Sequence, residues 1–512
     1  MPTRPNILFI TSDQQHWNTL GVDNPEIKTP ALDRLAREGT LFERAYCPNP
    51  TCTPSRASIL TGLYPSQHGA YSLGTKLDER IPTFGEALQG AGYDVSLIGK
   101  AHFQPLVSTD RYPSLEAYPV LRDLDFWRQF KDPFYGFNHV ELARNHSDEA
   151  HVGQHYALWM EEKGLTDWKR HFQNTWGPYD FTGGADKQWG QYGQWTLPED
   201  YHMNAWIAER TNARIDACVS EDKPFMLWAS FFDPHPPYLV PEPWDTLYDP
   251  DTLTVPEVQP GEHDRNPPHF AQTQEEAPDF SAYQEPGGHF CHGLHSHRRP
   301  REKRARDLAI YYGMVSCMDK YIGRILDHLD RLGLADNTLV VFTSDHGHFM
   351  GQHGLVAKGP FHYEDLVRVP FLVRWPGVVP AGQRSPALQN LVDLAPTFLA
   401  ATGTDPIQPM AGVNQWPVWR GETKAQRTHT LVENRHQPTT IHLRTLIGPR
   451  YKLTVYRGHD YGELFDLQTD PGERHNRWDD PDYLAIKTKL LQTWAQEDMA
   501  REVLPMPRIA PA

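Results

Sequence analysis

The sequence is poor in cysteine and contains no long hydrophobic run. Five cysteines among 512 residues are too few for the disulfide framework of small secreted domains. No apolar stretch reaches the roughly 18 residues that a membrane-spanning helix needs. Residues 1–10 run directly into a strand pattern and lack the charged and apolar regions of a secretory signal. We therefore expect a cytoplasmic protein with no membrane partner.

Basic residues are also in deficit. The chain has 49 Lys and Arg against 65 Asp and Glu, which gives a net charge of −16 at pH 7. This balance argues against general nucleic-acid binding, and an anionic substrate would require a locally positive pocket. The length allows a large core and predicts two domains. The 15 Trp and 26 His residues suit aromatic-lined clefts and metal or acid–base sites.

Short apolar runs alternate with amphipathic helical patterns along most of the chain. The strand-like runs are residues 6–11, 95–98, 225–231 and 338–343. The helical patterns are residues 30–38, 202–220, 309–332 and 393–402. Continuous apolar strands are typical of parallel sheets that are buried on both faces. The alternation therefore predicts an α/β layered fold over residues 1–420. Residues 421–512 have short strands and a helix at 483–498, which predicts a small antiparallel α+β domain.

Two stretches of the first domain lack this periodicity. Residues 105–200 are dense in Trp, Tyr, Phe and His. We interpret them as insertion loops that wall a cleft, although most of these aromatics could simply pack against the main domain. Residues 250–306 are rich in Pro, Glu and His and end in a basic run. A second metal or anion site is one interpretation of this run, and a solvated loop that leads into a helix is the one we favour.

Polar residues follow several of the predicted strands. Asp13 and Gln14 follow the first strand, and Asp345 and His346 follow the last. Because α/β sheets place their sites at the carboxyl ends of strands, these four residues predict a cage for a hard cation with one nitrogen ligand. Asp13 alone could instead be a helix N-cap, and Asp-His-Gly could be an ordinary turn.

Two other predicted strands are also followed by residues that could take part in binding or catalysis. Lys100 and His102 follow the strand at 95–98, and their side chains would face the same side of an extended segment. His235 lies in a Pro-rich turn after the strand at 225–231. Without further context, each of these residues is also compatible with an ordinary surface position.

The stretch around Cys52 is the most informative part of the sequence. Cys-Thr-Pro-Ser-Arg at 52–56 is followed by Leu-Thr-Gly at 60–62. Pro54 suits a first helical position because its missing N–H would be unpaired there. Cys52 would then lie near the N-cap, where the helix dipole lowers the pKa of a thiol. A lone Cys in this position could equally be a small helix-start residue.

The Cys-x-Pro-Ser-Arg string with its trailing Leu-Thr-Gly resembles the signature of the type I sulfatases, members of the alkaline phosphatase superfamily. The resemblance extends over nearly the whole chain. It includes Gly-Lys-x-His at 99–102, Pro-His-x-Pro at 234–237, Ser-Asp-His-Gly at 344–347 and the C-terminal segment at 463–473. It implies an alkaline-phosphatase-like fold, with a large, mixed, mostly parallel sheet flanked by helices and a smaller C-terminal domain.

The resemblance also implies a nucleophile and a metal site. In the family, a formylglycine-generating enzyme oxidises the signature cysteine, here Cys52, to Cα-formylglycine, whose hydrate attacks the sulfate. Arg56 would orient this hydrate. The ligands implied for one divalent metal ion are Asp13, Gln14, Cys52, Asp345 and His346.

Four further residues receive catalytic roles from the resemblance. Lys100 and Lys358 would hold the sulfuryl group, and His235 would protonate the leaving alcohol. His102 would then deprotonate the second hydroxyl of the hydrate, which expels sulfate and restores the aldehyde. The implied substrate is a small sulfate ester.

The metal-binding pairs depart from those of many arylsulfatases. Asp-Gln at 13–14 and Asp-His at 345–346 look more like phosphonate monoester hydrolases and choline sulfatases, and the nitrogen ligand makes Mn²⁺ as suitable as Ca²⁺. Those phosphonate hydrolases, however, lack the Lys-x-His pair that Lys100 and His102 form here. We therefore predict a sulfatase, with a phosphonate monoester or phosphodiester hydrolase as the alternative. A catalytically inactive binding protein with an unconverted Cys52 is a third hypothesis. The sequence also leaves open whether the chain forms a homo-oligomer.

Overall fold

The computed structural model describes residues 4–173, 192–286 and 293–504. Parts of both predicted insertions, at 174–191 and 287–292, and the end of the chain at 505–512 lie outside the described residues. Within the described residues, none of the helices combines the length and the hydrophobicity that are needed to cross a bilayer.

The strands of the described residues are short, and the longest of them span 7 residues. In chain order they are β1 (Asn6–Ser12), β2 (Thr40–Phe42), β3 (Ala45–Tyr46), β4 (Asp94–Lys100), β5 (His139–Ala143), β6 (Gly193–Gln194), β7 (Phe225–Ser230), β8 (Leu239–Val240), β9 (Thr338–Ser344), β10 (Phe349–Met350), β11 (Val356–Ala357), β12 (Arg368–Val369), β13 (Phe371–Arg374), β14 (Gln383–Ser385), β15 (Gln389–Asn390), β16 (Thr430–Arg435), β17 (His442–Ile447), β18 (Tyr451–Tyr456) and β19 (Gly462–Asp466).

The α-helices of the same residues range in length from 4 to 31 residues. They are α1 (Pro30–Glu38), α2 (Cys52–Thr61), α3 (Pro65–His68), α4 (Phe84–Gly90), α5 (Leu124–Gln129), α6 (Gln154–Glu162), α7 (Met203–Ser220), α8 (Pro268–Gln272), α9 (Arg301–Arg331), α10 (Glu364–Val367), α11 (Leu394–Thr402), α12 (Trp416–Trp419) and α13 (Leu484–Ala500).

Eight strands form the central sheet, in the order β14-β2-β13-β9-β1-β7-β4-β5. The five strands from β9 to β5 are parallel to one another, whereas β13 is antiparallel to both of its neighbours. The sheet is therefore mixed and mostly parallel, as predicted. β1 pairs with β9 in a register that ends at Ser12 opposite Ser344. This register places the residues that follow the two strands side by side.

Alternate residues of β1 point into two different hydrophobic clusters. Ile7 and Phe9 pack with side chains of α2, α4 and α11, and Leu8 and Ile10 pack with side chains of α7 and α9. All four residues are fully buried. The period of two in a strand explains how one continuous apolar run supplies both faces of the sheet. Each such side chain contributes roughly 1.5–3 kcal/mol of transfer free energy.

A second, four-stranded antiparallel sheet lies near the C-terminus, in the order β16-β17-β18-β19. Leu453 and Leu464 of this sheet cluster with Leu490 of α13, and also with Tyr64 and Val392 from the preceding part of the chain. The small antiparallel sheet with a helix is thus confirmed. We propose a domain boundary near residue 421, between α12 and β16.

The long helix α9 begins earlier than the hydrophobic pattern predicted. The apolar stripe indicated residues 309–332, but the helix spans Arg301–Arg331 and includes the basic residues at its start. Helical hydrogen bonds form within the backbone and do not depend on an apolar stripe. A solvated first turn therefore leaves no periodic signal in the sequence.

Candidate active site

The polar residues that the sequence singled out meet at the carboxyl edge of the parallel strands. Asp13 follows β1, Asp345 follows β9, and Lys100 and Ser230 end β4 and β7. The order β9-β1-β7-β4 makes these four strands direct neighbours. Their carboxyl ends therefore present one continuous polar surface, which is where open α/β sheets place ligand sites.

Helix α2 brings Cys52 to this edge. The helix begins at Cys52 after the extended N-cap residue Thr51, and it ends at Thr61, followed by the C-cap residue Gly62 with a φ of 68°. Pro54 is thus the third helical residue and not the first, as the sequence had indicated. Proline at the third helical position removes no helical hydrogen bond, because the N–H groups of the first turn lack an intrahelical acceptor. Cys52 is 1% exposed and lies at the positive end of the helix dipole.

Three of the predicted side chains surround the Cys52 thiol. Its Sγ lies 3.6 Å from Asp13 Oδ1, 3.3 Å from His346 Nε2 and 3.3 Å from Lys358 Nζ. The ligand atoms of Cys52, Asp13, Asp345 and His346 all lie within 4.8 Å of one another. The fold therefore brings together residues that are up to 333 positions apart, since the cluster runs from residue 13 to residue 346.

The electrostatics of the site favour negative charge at position 52. Burial and the Asp13 carboxylate raise the pKa of the Cys52 thiol, but Lys100 and Lys358 outweigh them and lower this pKa to about 6. Burial alone would also raise the pKa of the Asp13 carboxyl. Lys100 and two nearby histidines nevertheless hold the Asp13 pKa well below its usual value.

Arg56 connects the ends of three strands. Its Nε donates to Asp345 Oδ2 at 2.8 Å, and its Nη1 donates to the Lys100 carbonyl at 3.0 Å and to Ser230 Oγ at 2.7 Å. The Arg56 and Asp345 side chains are both fully buried. An isolated buried charge costs several kcal/mol, so each side chain of the pair depends on the other. Arg56 Nη2 is buried and has no hydrogen-bond partner among the described residues.

The donor set around Asp345 fits a divalent cation. Gln14 donates its backbone N–H to Asp345 Oδ1 at 3.0 Å, and its Nε2 lies 2.7 Å from His348 Nδ1. Gln14 Oε1 is buried and has no hydrogen-bond partner in the part of the chain that is described. Two carboxylates, from Asp13 and Asp345, an unpaired amide oxygen and the His346 nitrogen form an oxygen-rich set with one nitrogen. Ca²⁺ and Mn²⁺ both accept such ligands.

His235 and Lys358 lie together beside Cys52 and His346. His235 follows β7, and its Nε2 is 3.4 Å from Lys358 Nζ, which is also 3.4 Å from His346 Nε2. Burial, together with the charges of His146 and Lys358, lowers the pKa of His235 well below its usual value.

A family model described as Sulfatase matches residues 5–404. The chain belongs to the sulfatase family. A second model, described as N-sulphoglucosamine sulphohydrolase, C-terminal, matches residues 351–499. Together the two models cover the central sheet, the residues around Cys52 and the C-terminal sheet. The predicted enzyme class, a sulfuric ester hydrolase, is confirmed.

Individual proteins resemble this sulfatase over most of its length. An arylsulfatase of Clostridium perfringens is 28% identical over 496 residues, which cover 94% of this chain and 91% of that protein. The multifunctional alkaline phosphatase superfamily protein PehA of Trinickia caryophylli is 27% identical over 532 residues, with 94% and 93% covered. The crystal structure of a phosphonate monoester hydrolase of Agrobacterium radiobacter has a TM-score of 0.77 at 25% identity, with 98% and 97% covered. The predicted fold class is thus confirmed.

The structure of this sulfatase adds a histidine that the sequence analysis missed. His146 Nε2 lies 2.9 Å from Lys100 Nζ and 3.2 Å from Asp13 Oδ2. Lys100 also contacts Asp13 directly. The His146 ring stacks on His235 with ring centroids 3.7 Å apart and planes inclined by 15°. His146 therefore bridges the Lys100 side and the His235 side of the site.

Glu149 holds His146 in place. Glu149 Oε2 accepts a hydrogen bond from His146 Nδ1 at 2.9 Å and forms an ion-pair contact of 2.9 Å with His151 Nε2. These residues lie in the 105–200 stretch that was interpreted only as a cleft wall. Once β5 is known, Arg-Asn-His at 144–146 follows its strand just as Asp13 follows β1, but β5 contains His139 and Glu141 and lacks the continuous apolar run that marked β1.

His102 occupies a different position from the one that an extended segment predicts. Strand β4 ends at Lys100, and His102 has a φ of 59°. Its Nε2 accepts a hydrogen bond from Arg144 Nη2 at 2.8 Å, and its backbone N–H donates to Glu116 Oε1 at 2.8 Å. Burial, Arg144 and Lys100 lower the pKa of His102 well below its usual value. The imidazole is therefore neutral near pH 7 and has its acceptor nitrogen turned to Arg144.

Proposed function

We propose that this sulfatase hydrolyses sulfate monoesters, with aryl sulfates as convenient substrates, through a formylglycine at position 52 and one divalent metal ion. The observation that carries the proposal is the cluster around Cys52 Sγ, which places Asp13, His346 and Lys358 within 3.6 Å of it. A formylglycine there would supply, as its hydrate, one hydroxyl to attack sulfur and a second whose deprotonation expels sulfate.

Asp13, Gln14, Asp345 and His346 would hold the metal ion, together with residue 52. When bound, Ca²⁺ or Mn²⁺ would withdraw charge from the sulfate oxygens and make the attacking hydroxyl more acidic. The unpaired Oε1 of Gln14 supports this assignment.

The cationic residues of the site neutralise the substrate. A sulfate monoester resists attack because negative oxygens shield its sulfur. Lys358 lies beside residue 52 and Lys100 beside Asp13, so their ammonium groups flank the position of the sulfuryl group. Arg56 Nη2, which has no hydrogen-bond partner among the described residues, would be a further donor to the substrate or to the hydrate at position 52.

Two histidines move the protons. As the bond between sulfur and the alcohol oxygen breaks, His235 donates a proton to that oxygen. The anionic substrate favours the protonated form of His235, because its negative charge offsets the Lys358 charge that lowers the pKa of His235. With a formylglycine at position 52, His102 would take the proton of the second hydroxyl, and loss of sulfate would restore the aldehyde. This step requires Arg144 to release His102 Nε2.

Replacement of His235 should slow hydrolysis most for substrates that have poor leaving groups. Because His235 protonates the departing oxygen, we expect His235→Gln to reduce kcat/KM by about 100-fold for an alkyl sulfate and by less than about tenfold for 4-nitrophenyl sulfate. Steady-state rates on a series of sulfates with graded alcohol pKa measure this. His362→Asn is a matched control, because His362 is buried and bonded to Thr445 outside the site. Equal losses on all leaving groups would refute the assignment.

A phosphonate monoester or phosphodiester hydrolase is the second candidate. Its support is the similarity to the Agrobacterium radiobacter enzyme and the Asp-Gln and Asp-His pairs at 13–14 and 345–346. Rates on matched aryl sulfate, phosphodiester and phosphonate substrates, with Ca²⁺ or Mn²⁺ added, separate the two candidates. We expect the sulfate to be hydrolysed fastest. A phosphonate rate far above the sulfate rate would reverse the order.

Maturation of Cys52 can be measured independently of the substrate. Conversion to formylglycine lowers the intact mass by about 18 Da, since oxygen replaces sulfur and two hydrogens are lost. Because Cys52 is 1% exposed, we propose that the formylglycine-generating enzyme acts before the chain closes around this site. The cytoplasmic location and a homo-oligomer stay predictions from the sequence.

A further inference from the structure

A cavity of about 290 Å³ adjoins the proposed catalytic residues. Its lining includes Pro236 and Pro237, which follow His235, and Ala357, which precedes Lys358. His235 is the proposed proton donor to the leaving alcohol. The cavity therefore lies next to the position that the alcohol part of a substrate would occupy.

Apolar and aromatic side chains form much of the cavity wall. Tyr238, Phe349, Met350 and Val356 all line it. The Tyr238 hydroxyl is held 2.6 Å from His348 Nε2, and Phe349 and Met350 are buried. These walls are therefore fixed by packing and hydrogen bonding, and they suit the carbon skeleton of an aryl or other largely apolar alcohol.

Three basic side chains line the same cavity, namely Arg299, Lys303 and Arg304. Among the described residues that line the cavity, the one carboxylate is that of Asp307, which lies 3.4 Å from Lys303 Nζ and 3.9 Å from Arg299 Nη1. Burial raises the pKa of Asp307 to about 7, which reduces its negative charge near neutrality. The cavity is thus positive, in a chain whose net charge is −16.

Arg304 has hydrogen-bonding capacity that the described residues do not use. Its Nη1 donates to the Pro256 carbonyl, but its Nε is buried and has no hydrogen-bond partner among the described residues. Arg299 and Arg304 also line a neighbouring cavity of about 850 Å³, to which Arg298 and Glu276 contribute. The two arginines therefore lie where the two cavities meet, within reach of a ligand in either one.

We propose that the 290 Å³ cavity is a subsite for the alcohol part of a sulfate ester that carries a second anionic group. The apolar walls receive the carbon skeleton, and Arg299, Lys303 and Arg304 bind the second anion. The proposal rests on the proposed function, because it takes residue 52 as the point where the sulfate is held. For the basic run at the end of the second insertion, the proposal favours the anion-site interpretation over the solvated loop that the sequence analysis preferred.

A matched pair of substrates tests the subsite. One is an aryl sulfate with a propanoate chain opposite the ester, and the other is its propanamide analogue. The saturated chain insulates the ester oxygen, so the two leaving groups are alike. We expect the wild-type kcat/KM to favour the propanoate by about tenfold. Arg299→Gln and Arg304→Gln should each reduce this preference at least threefold, and added salt should weaken it.

The control variant is Arg301→Gln. Arg301 belongs to the same basic run but pairs with Glu257 at 3.9 Å and lines neither cavity. It should keep the wild-type preference. Equal rates for the two substrates in the wild type, or a preference that survives both cavity variants, would overturn the subsite.

Failure of the proposed function can be recognised separately. If neither sulfate is hydrolysed, calorimetric titration of the same two sulfates into the full chain still measures binding. Tighter binding of the propanoate, lost in Arg304→Gln, would support the subsite even though the sulfatase proposal had failed. Equal binding of the two sulfates would overturn the subsite as well.

Discussion

Cys52→Ala is expected to lose at least about 10⁴-fold of the aryl sulfatase kcat, because removal of the proposed covalent nucleophile leaves only binding and electrostatic effects. Cys52→Ser should instead react with the substrate once and then stop. A serine hydroxyl can accept a sulfuryl group, but its sulfate ester has no second hydroxyl to expel sulfate. We therefore expect one turnover at most, followed by a chain that retains the sulfuryl group. Pre-steady-state release of the phenol and intact-mass measurement check both outcomes.

Cys47→Ser is the matched control for these variants. Cys47 is another buried free cysteine close in sequence to the same helix, and burial raises the pKa of its thiol well above the usual value. The control should keep wild-type kcat. Sustained turnover by Cys52→Ala, or unlimited turnover by Cys52→Ser, would contradict the role of residue 52.

Asp345→Asn is expected to reduce kcat/KM by at least about 10³-fold and to lower the bound metal content in parallel. The substitution removes one of the two carboxylate charges of the proposed metal site and the buried partner of Arg56. Chelation of the metal from the wild type should reproduce the activity loss, and restored Ca²⁺ or Mn²⁺ should reverse it. Elemental analysis of the purified protein and steady-state rates provide the two readouts.

A second buried ion pair provides a control that distinguishes a loss of catalysis from a loss of stability. Asp393 accepts a hydrogen bond from Arg427 Nε at 3.0 Å, and both side chains are buried outside the site. Asp393→Asn should lower the free energy of unfolding by about 3 kcal/mol and keep the activity of the folded enzyme. If this control lost activity and metal as Asp345→Asn does, the effect at Asp345 would reflect general destabilisation.

The strands that carry the site could be predicted because their sequence signal is local. A continuous apolar run such as β1 or β9 specifies a doubly buried strand, and the polar residue at its end marks the carboxyl edge. Asp13 and Asp345 were found in this way. The proximity of these residues to Cys52 came from the family resemblance, since nothing in the local pattern measures a distance between segments.

The contacts of His146 and His102 could not be predicted in the same way. His146 follows the edge strand β5, which is short, and the aromatic-rich stretch around it hides any periodic signal. The position of His102 depends on a positive φ and on a hydrogen bond from Arg144, which comes from a different strand connection. Both features arise from packing between segments, which overrides the local preference for extended backbone.

By itself, the sequence determined the α/β class, the helix that begins near Cys52 and the polar residues at the strand ends, because periodicity and short motifs are properties of neighbouring residues. Only the tertiary structure decided how His146, Glu149 and Arg144 support the site, and that Arg299 and Arg304 line a cavity beside His235. Such contacts join side chains that lie far apart in the chain, and they exist only once the sheet register and the loop packing fix where each backbone segment lies.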